Sequence, residues 1–210
     1  MNLVCLDLEG VLVPEIWIAF SKATGIQDLS RTTRDEPDYD KLMNYRIEIL
    51  AKHNLKLKDI QNVIENMEPL EGSQHFIHAL RKKNQFIILS DTFEEFAKPL
   101  LAKLGYPTLF CNRLNISSEG FICGYRLRQQ SGKKNAVTAF KALNMNIFAV
   151  GDSYNDLDMI MESHSGCLFR PPEIIKKDYP HLSCVETYQE LFENINKFNL
   201  VYGISAGQAN

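Results

Sequence analysis

The sequence lacks several features that would have named a class at once. Its five cysteines, at 5, 111, 123, 167 and 184, are odd in number and form no CxxC pair. That argues against a disulfide framework or a zinc site. Three of them, Cys5, Cys167 and Cys184, sit in apolar runs, and all five read as reduced thiols packed in a core. No apolar stretch reaches the roughly 18 residues that a membrane helix needs. The start carries no basic segment followed by an apolar one and a cleavage site, so the expected compartment is the cytoplasm. Charge of one sign is also missing: 23 Lys+Arg stand against 26 Asp+Glu, a net −3. Such a balance offers no global field for nucleic acid, though it leaves room for a small anion held by a few local cations. Internal repeats and low-complexity tracts are absent too.

What remains is an ordinary globular composition, 45% apolar in 210 residues. A chain of this length buries roughly 70% of the surface its unfolded form exposes. One main domain with an insertion, or a large and a small domain, fits that size. Three short apolar runs each stop at a polar residue: Leu3 to Leu6 before Asp7, Phe86 to Leu89 before Ser90-Asp91, and Ile147 to Val150 before Gly151-Asp152. Unbroken apolarity over four residues marks a strand covered on both faces. Weaker runs at Cys167 to Phe169 and Leu182 to Val185 suggest further strands. Helical stripes lie between them, one with apolar residues at 93, 96, 97, 100, 101 and 104 that Pro99 is expected to kink or split.

Alternating strands and helices predict an α/β fold, a Rossmann-like parallel sheet core. The interval from Asp7 to Ser90 is too long for a simple crossover. It shows helical patterns at about 15–24 (closed by Gly25), 38–53 and 57–67, with the loop 30–37 between the first two. The chain therefore divides into a core of 1–12 and 71–205 and an inserted helical cap of 13–70. The stretch from Thr108 to Gln130, with Ser117-Ser118-Glu119-Gly120 inside it, predicts a small β-hairpin turning at the glycine.

In parallel sheets ligands sit beyond the carboxyl ends of the strands, where strand order reverses. Asp7, Ser90 and Asp152 each fall at such an end, so residues far apart in sequence converge on one pocket. Asp7 and Glu9, two positions apart, can face one side while the chain turns at Gly10. Two close carboxylates repel unless a proton or a cation intervenes. A carboxylate nucleophile attacking phosphorus needs that cation and a neighbouring acid for the leaving alkoxide. Asp7 as nucleophile and Glu9 as acid/base satisfy both needs, and Asp152 completes a hard-oxygen site suited to Mg²⁺.

Other residues read two ways. Ser90 is a phosphate-binding hydroxyl or a plain cap for a helix starting at Thr92 or Phe93. Asp91 supports its loop. Ser153 and Asp156 form a capping box, or Asp156 holds the metal loop. Asn155 reaches substrate or orients the phosphate. Lys133 and Lys134 open a helix, where paired cations are usually surface residues. Yet cations at a helix start oppose its dipole, which hints at a task such as stabilising a phosphorylated aspartate.

Taken in order, D-x-[DE]-G-V, a Ser after a strand, a Lys and G-D-x-x-N-D resemble the haloacid dehalogenase superfamily of phosphatases. The stretch Val4 to Phe20, Thr33-Arg34-Asp35, Pro69 to Gly72, Ile88 to Phe93 and Gly151 to Asp156 resemble its bifunctional phosphoserine phosphatase/homoserine phosphotransferase group, over about 1–195. The resemblance implies an aspartyl-phosphate on Asp7, Glu9 as proton donor, Lys133 and Ser90 on the phosphate, and Asn155 on substrate. It also implies Mg²⁺ held by Asp7, Asp152 and the Glu9 carbonyl. In the cap it implies Glu15 on the substrate ammonium and Arg46 on its carboxylate, an acid and a guanidinium suited to a zwitterion. Most of the superfamily has Asp at the position of Glu9, whereas this group has Glu. The implied substrates are O-phospho-L-serine and, as phosphoryl acceptor, L-homoserine. The implied processes are serine and threonine biosynthesis. Another small phosphomonoester, or a silent binding module on the same fold, are the competing readings.

Overall fold

The computed structural model describes residues 1–33, 35–36 and 38–203. Arg34 of the Thr33-Arg34-Asp35 segment, Pro37 of the inter-helix loop and the last two residues of the expected 71–205 core lie outside the described residues.

Among the described residues the sheet has seven strands: β1 (Asn2–Leu6), β2 (Gln85–Phe93), β3 (Leu109–Ile116), β4 (Ile122–Arg126), β5 (Asn146–Gly151), β6 (Ser165–Phe169) and β7 (Ser183–Val185). Their spatial order is β4-β3-β2-β1-β5-β6-β7. All neighbours are parallel except β3 and β4, the expected hairpin, which turns through Gly120 at φ +89° and forms the sheet edge. Strand order reverses at β1, which pairs β2 on one side and β5 on the other.

The reason for the unbroken apolar runs is visible in the packing. Val4 and Leu6 of β1, Ile88 of β2, and Phe148 and Val150 of β5 point into one apolar cluster. Leu3 and Cys5, Ile87 and Leu89, and Ile147 and Ala149 point into the other. Period-2 alternation thus feeds two cores at once, and each fully buried Leu, Ile, Val or Phe contributes about 1.5–3 kcal/mol. Helices α4 (Ser73–Arg81), α5 (Glu94–Lys103) and α9 (Tyr188–Gly203) cover the first face, and α6 (Gly132–Ala142), α7 (Leu157–Glu162) and α8 (Glu173–Asp178) the second.

Between β1 and α4 the chain forms α1 (Ile16–Thr24), a 3₁₀ turn (Gln27–Ser30), α2 (Tyr39–Lys52) and α3 (Leu57–Glu65). Gly25 ends α1 in the left-handed region at φ +71°, which a residue without Cβ adopts at little cost. Asp38 caps α2 by accepting from Lys41 N–H at 3.1 Å. Ile16, Trp17, Phe20, Met43, Leu50, Ile60 and Ile64 join the same cluster as β1, so the apolar interior runs unbroken from the sheet into these helices.

Three local expectations are corrected. β2 runs on through Ser90-Asp91 to Phe93, so α5 starts at Glu94 and Ser90 does not cap it. Residues 90–93 continue as strand because Phe93 pairs with Asn112 of β3 after a register shift. Pro99 does not split α5. A proline cannot donate to the carbonyl four residues back, here Glu95, and that oxygen accepts instead from Gln61 Nε2 of α3 at 3.0 Å. The thiols are free, and Cys5 and Cys167 are buried as expected, but Cys123 is exposed on β4.

Candidate active site

Asp7, immediately after β1, is 4% exposed and donates its N–H to Val150 O at 2.9 Å. That bond carries the β1–β5 register one residue beyond the strand and brings the Asp7 loop against Asp152. Gly10 completes the approach. Its φ is +80°, and a Cβ there would lie 2.4 Å from Asp152 Cγ, so neither the backbone nor the space admits another residue. Carboxylate oxygens of Asp7, Asp152 and Asp156 lie within 4.8 Å of one another.

Lys133, near the start of α6, is buried at 5% exposure rather than solvated. Its Nζ lies 2.9 Å from Asp7 Oδ1, 2.7 Å from Asp156 Oδ1 and 3.4 Å from Asp91 Oδ2. Burial disfavours its ammonium, but the charges of Asp156, Asp7 and Asp91 outweigh that and hold its pKa well above the ordinary lysine value. Lys134, half-buried, accepts at its carbonyl from Thr138 and is felt electrostatically by Glu162. For Asp7, burial and the charges of Asp156 and Asp152 push the carboxyl well above the usual range, against Lys133. Three acidic side chains thus surround one ammonium, and Asp152 lies beside two of them. Buried negative charge in excess, with only hard oxygen donors, fits a divalent cation such as Mg²⁺.

Asp156 is fully buried. One oxygen takes Lys133, and the other accepts from the N–H groups of Asp152 and Ser153 at 3.0 and 3.2 Å, closing a capping box with Ser153. The loop that presents Asp152 is therefore pinned from below. Asn155 is exposed at the rim. Its Nδ2 donates to Asp91 Oδ2 at 3.0 Å, and its Oδ1 accepts from the Ser153 hydroxyl. Ser90 is 7% exposed and its Oγ accepts from Thr92 N–H at 3.2 Å, which leaves the hydroxyl proton for an outside acceptor.

Glu9, Glu15 and Arg46 border the same cleft, which encloses about 110 Å³. Glu15 sits at the N-cap position of α1 without capping it. Glu9 supplies that service from the neighbouring loop, its Oε2 accepting from Ile16 N–H at 2.9 Å. Burial and the Glu15 charge raise the Glu9 carboxyl to about 7, against hydrogen bonds from Ile16 and the Thr92 hydroxyl and the charge of Arg46. Arg46 of α2 is 6% exposed. Its guanidinium lies over the Trp17 ring at 4.5 Å, and its Nη2 donates to Arg31 O at 2.6 Å. Its Nε has no acceptor among the described residues. Burial lowers its pKa to about 10, while Glu9, Tyr39 and Glu15 act the other way.

The structure therefore brings Asp7, Glu9, Glu15, Arg46, Ser90, Asp91, Lys133, Asp152, Ser153 and Asn155 around one cleft, with Asp156 fully buried behind Lys133, whereas Lys134 does not line it. Comparison with known proteins then places the fold and the motifs together. A family model for haloacid dehalogenase-like hydrolases matches residues 1–163. The chain belongs to that family. Within it, the chain is 52% identical over 191 residues to the phosphoserine phosphatase ThrH of Pseudomonas aeruginosa, covering 91% of this chain and 93% of that one. It is 51% identical to a phosphoserine phosphatase of Pseudomonas syringae pv. tomato, covering 91% and 81%. The resemblance read from the sequence is thereby borne out. Among solved structures, a phospho-aspartyl intermediate analogue of phosphoserine phosphatase superposes with a TM-score of 0.76 at 18% identity, covering 92% of this chain and 98% of that one.

Three features of the site were not read from the sequence. Tyr39 donates its hydroxyl to Asp91 O at 3.2 Å, joining α2 to β2. Thr92 lines the cleft beside Glu9. Asn112 of β3 donates to the same Asp91 carbonyl at 2.9 Å. Aromatic and β-branched residues in apolar surroundings read as packing, and no signal in the sequence separates these from it. No helix among the described residues is long and apolar enough to cross a membrane.

Proposed function

We propose that this chain is a Mg²⁺-dependent phosphoserine phosphatase that works through a phospho-aspartate on Asp7 and can pass the phosphoryl group to homoserine. One observation carries the reading. A carboxylate–ammonium cluster centred on Lys133 and the acid–guanidinium pair Glu15 and Arg46 border a single cleft. The first suits a phosphate and the second a zwitterionic amino acid, and phosphoserine carries both groups. The names of the two Pseudomonas relatives support the substrate, and the acidic cluster supports the metal.

Asp7, Asp152 and the Glu9 carbonyl would hold the ion, whose contribution is to screen an anionic phosphate from an anionic nucleophile. Asp7 Oδ attacks phosphorus, the bond from phosphorus to the serine oxygen breaks, and Glu9 delivers its proton to that oxygen. Lys133 and the Ser90 hydroxyl hold the phosphoryl oxygens, with Asp91 and Asn155 tying the lysine to the rim. Water then attacks the aspartyl-phosphate, its proton passing to the Glu9 carboxylate, and Asp7 is released as carboxylate. The homoserine hydroxyl takes the place of water in the transfer reaction. We assign 13–70 as the cap that carries Glu15 and Arg46, on a core formed by 1–12 and the chain from 71 onward.

The test is incubation with O-phospho-L-serine and Mg²⁺, with and without homoserine, beside a panel of small phosphomonoesters. The expected result is phosphate release fastest from phosphoserine, and phosphohomoserine when homoserine is present. Phosphate as sole product removes the transfer reaction. A panel in which phosphoserine does not stand out removes the substrate and favours another small phosphomonoester.

A further inference from the structure

Arg46 brings a buried guanidinium to the cleft with few fixed partners. Its Nη2 donates to Arg31 O at 2.6 Å, its Nη1 faces the Met43 sulfur at 3.8 Å, and its Nε meets no acceptor among the described residues. A long side chain held by one strong hydrogen bond keeps much of its rotamer freedom. The remaining hold comes from the indole of Trp17, whose ring centroid lies 4.5 Å from Cζ. A cation over an indole face gains most where water is excluded, and both residues are buried.

Trp17 is itself fixed from the sheet side. Its ring meets the Phe96 ring of α5 edge to face, with centroids 5.6 Å apart and 73° between the planes. Phe96 meets Phe93, the last residue of β2, in the same manner at 5.6 Å and 88°. Such edge contacts set the orientation of a ring as well as burying it. A run of three rings therefore leads from the end of β2 to the guanidinium on α2. Trp17 and Arg46 both line the cleft.

We propose that Trp17 is a positioning residue for Arg46, holding the guanidinium where its unmatched donor is available to a substrate carboxylate. It thereby sets how strongly phosphomonoesters that carry a carboxylate are preferred to those that do not. The proposal rests on the reading of Arg46 given under the function above. Phosphoethanolamine differs from phosphoserine only in lacking the carboxylate. A residue that acts through Arg46 changes the use of phosphoserine alone. Loss of folded protein lowers turnover of both in proportion, so the ratio of their kcat/KM values is blind to it. A direct contact of the indole with substrate is separated by removing Arg46, after which a positioning residue has nothing left to position.

The experiment measures kcat and KM for O-phospho-L-serine and O-phosphoethanolamine with the Mg²⁺-loaded full chain. It compares the parent, Trp17→Leu, Trp17→Phe, Arg46→Ala and Trp17→Leu combined with Arg46→Ala. Trp17→Leu should lower the phosphoserine-to-phosphoethanolamine ratio of kcat/KM by about tenfold, the scale of a desolvated cation–π contact. The loss should lie in KM for phosphoserine, with kcat within about twofold of the parent. Trp17→Phe keeps a ring and should lose about threefold. Arg46→Ala should lower the ratio by about 100-fold, and adding Trp17→Leu to it should change the ratio no further. Where Trp17→Leu gives no folded protein, Trp17→Phe carries the same comparison with and without Arg46. A ratio unmoved by the Trp17 change, or lowered equally with Arg46 present and absent, overturns the proposal and leaves the role of Arg46 standing. A ratio unmoved by Arg46→Ala overturns the carboxylate reading of Arg46 itself, and the role of Trp17 with it.

Discussion

Lys133 and Arg46 are buried to nearly the same depth, 5% and 6% exposed, in opposite halves of one cleft, yet their surroundings differ in kind. The lysine has three carboxylates within 3.4 Å, and they come from the residue after β1, from within β2 and from the short turn after β5. The arginine has one carbonyl, a methionine sulfur at 3.8 Å and an indole face, and its Nε meets no acceptor among the described residues. Leaving a buried donor unmatched costs about 1–3 kcal/mol, so a carboxylate arriving there recovers what the folded protein lacks. The lysine half is complete in its polar contacts before any organic ligand binds. In the proposed function, the arginine half is completed by one. Under that function, chemistry common to many phosphomonoesters sits on the sheet, and discrimination among them sits on helices inserted after its first strand.

The sharpest way to break this contrast is at Asp7. Asp7→Asn should lower turnover of every phosphomonoester by about 10⁴-fold or more, as loss of a nucleophile does. It should melt no lower than the parent, since it removes one of the crowded charges. Steady-state kinetics and thermal unfolding check both parts, and residual turnover near the parental rate would refute the nucleophile. Arg46→Lys is the matching change in the other half. A lysine can neither clamp a carboxylate with two N–H groups nor stack on Trp17 in the same way. The expected outcome is a fall of about 100-fold in kcat/KM for phosphoserine, mostly in KM, with inhibition by inorganic phosphate unaltered. Weakened phosphate inhibition would mean that the two halves are not separable. The smallest effect is expected where they touch. Tyr39→Phe removes only the hydroxyl that joins α2 to the Asp91 carbonyl, and its ring keeps its edge-to-face contact with Tyr125. Stability should fall by about 1 kcal/mol and KM for phosphoserine should rise by about twofold, read by denaturant titration and kinetics.

The same contrast governs what could be read without coordinates. β1, β2 and β5 announce themselves because strands covered on both faces must be apolar at every position, and their polar ends then mark the pocket. Asp7, Ser90 and Asp152 follow from that logic alone. Lys133 does not, since a buried lysine and a surface one look alike until the carboxylates that surround it are in place. Glu15 and Arg46 came from resemblance only, because their helices show an amphipathic pattern that any packed helix shows. The start of α5 was misplaced by one or two residues for a tertiary reason. Phe93 finds a partner on β3, and that pairing keeps residues 90–93 extended. Tyr39 and Thr92 remained hidden because their polar atoms are single hydroxyls among apolar neighbours.

Pro99 offers a last consequence. By leaving the Glu95 carbonyl without its usual helical donor, it creates an acceptor on α5 that Gln61 of α3 occupies. Lifting α3 from α5 would strand that oxygen unless water reached it. An irregularity inside one helix thus behaves as a catch for its neighbour, resisting small excursions and yielding once solvent enters.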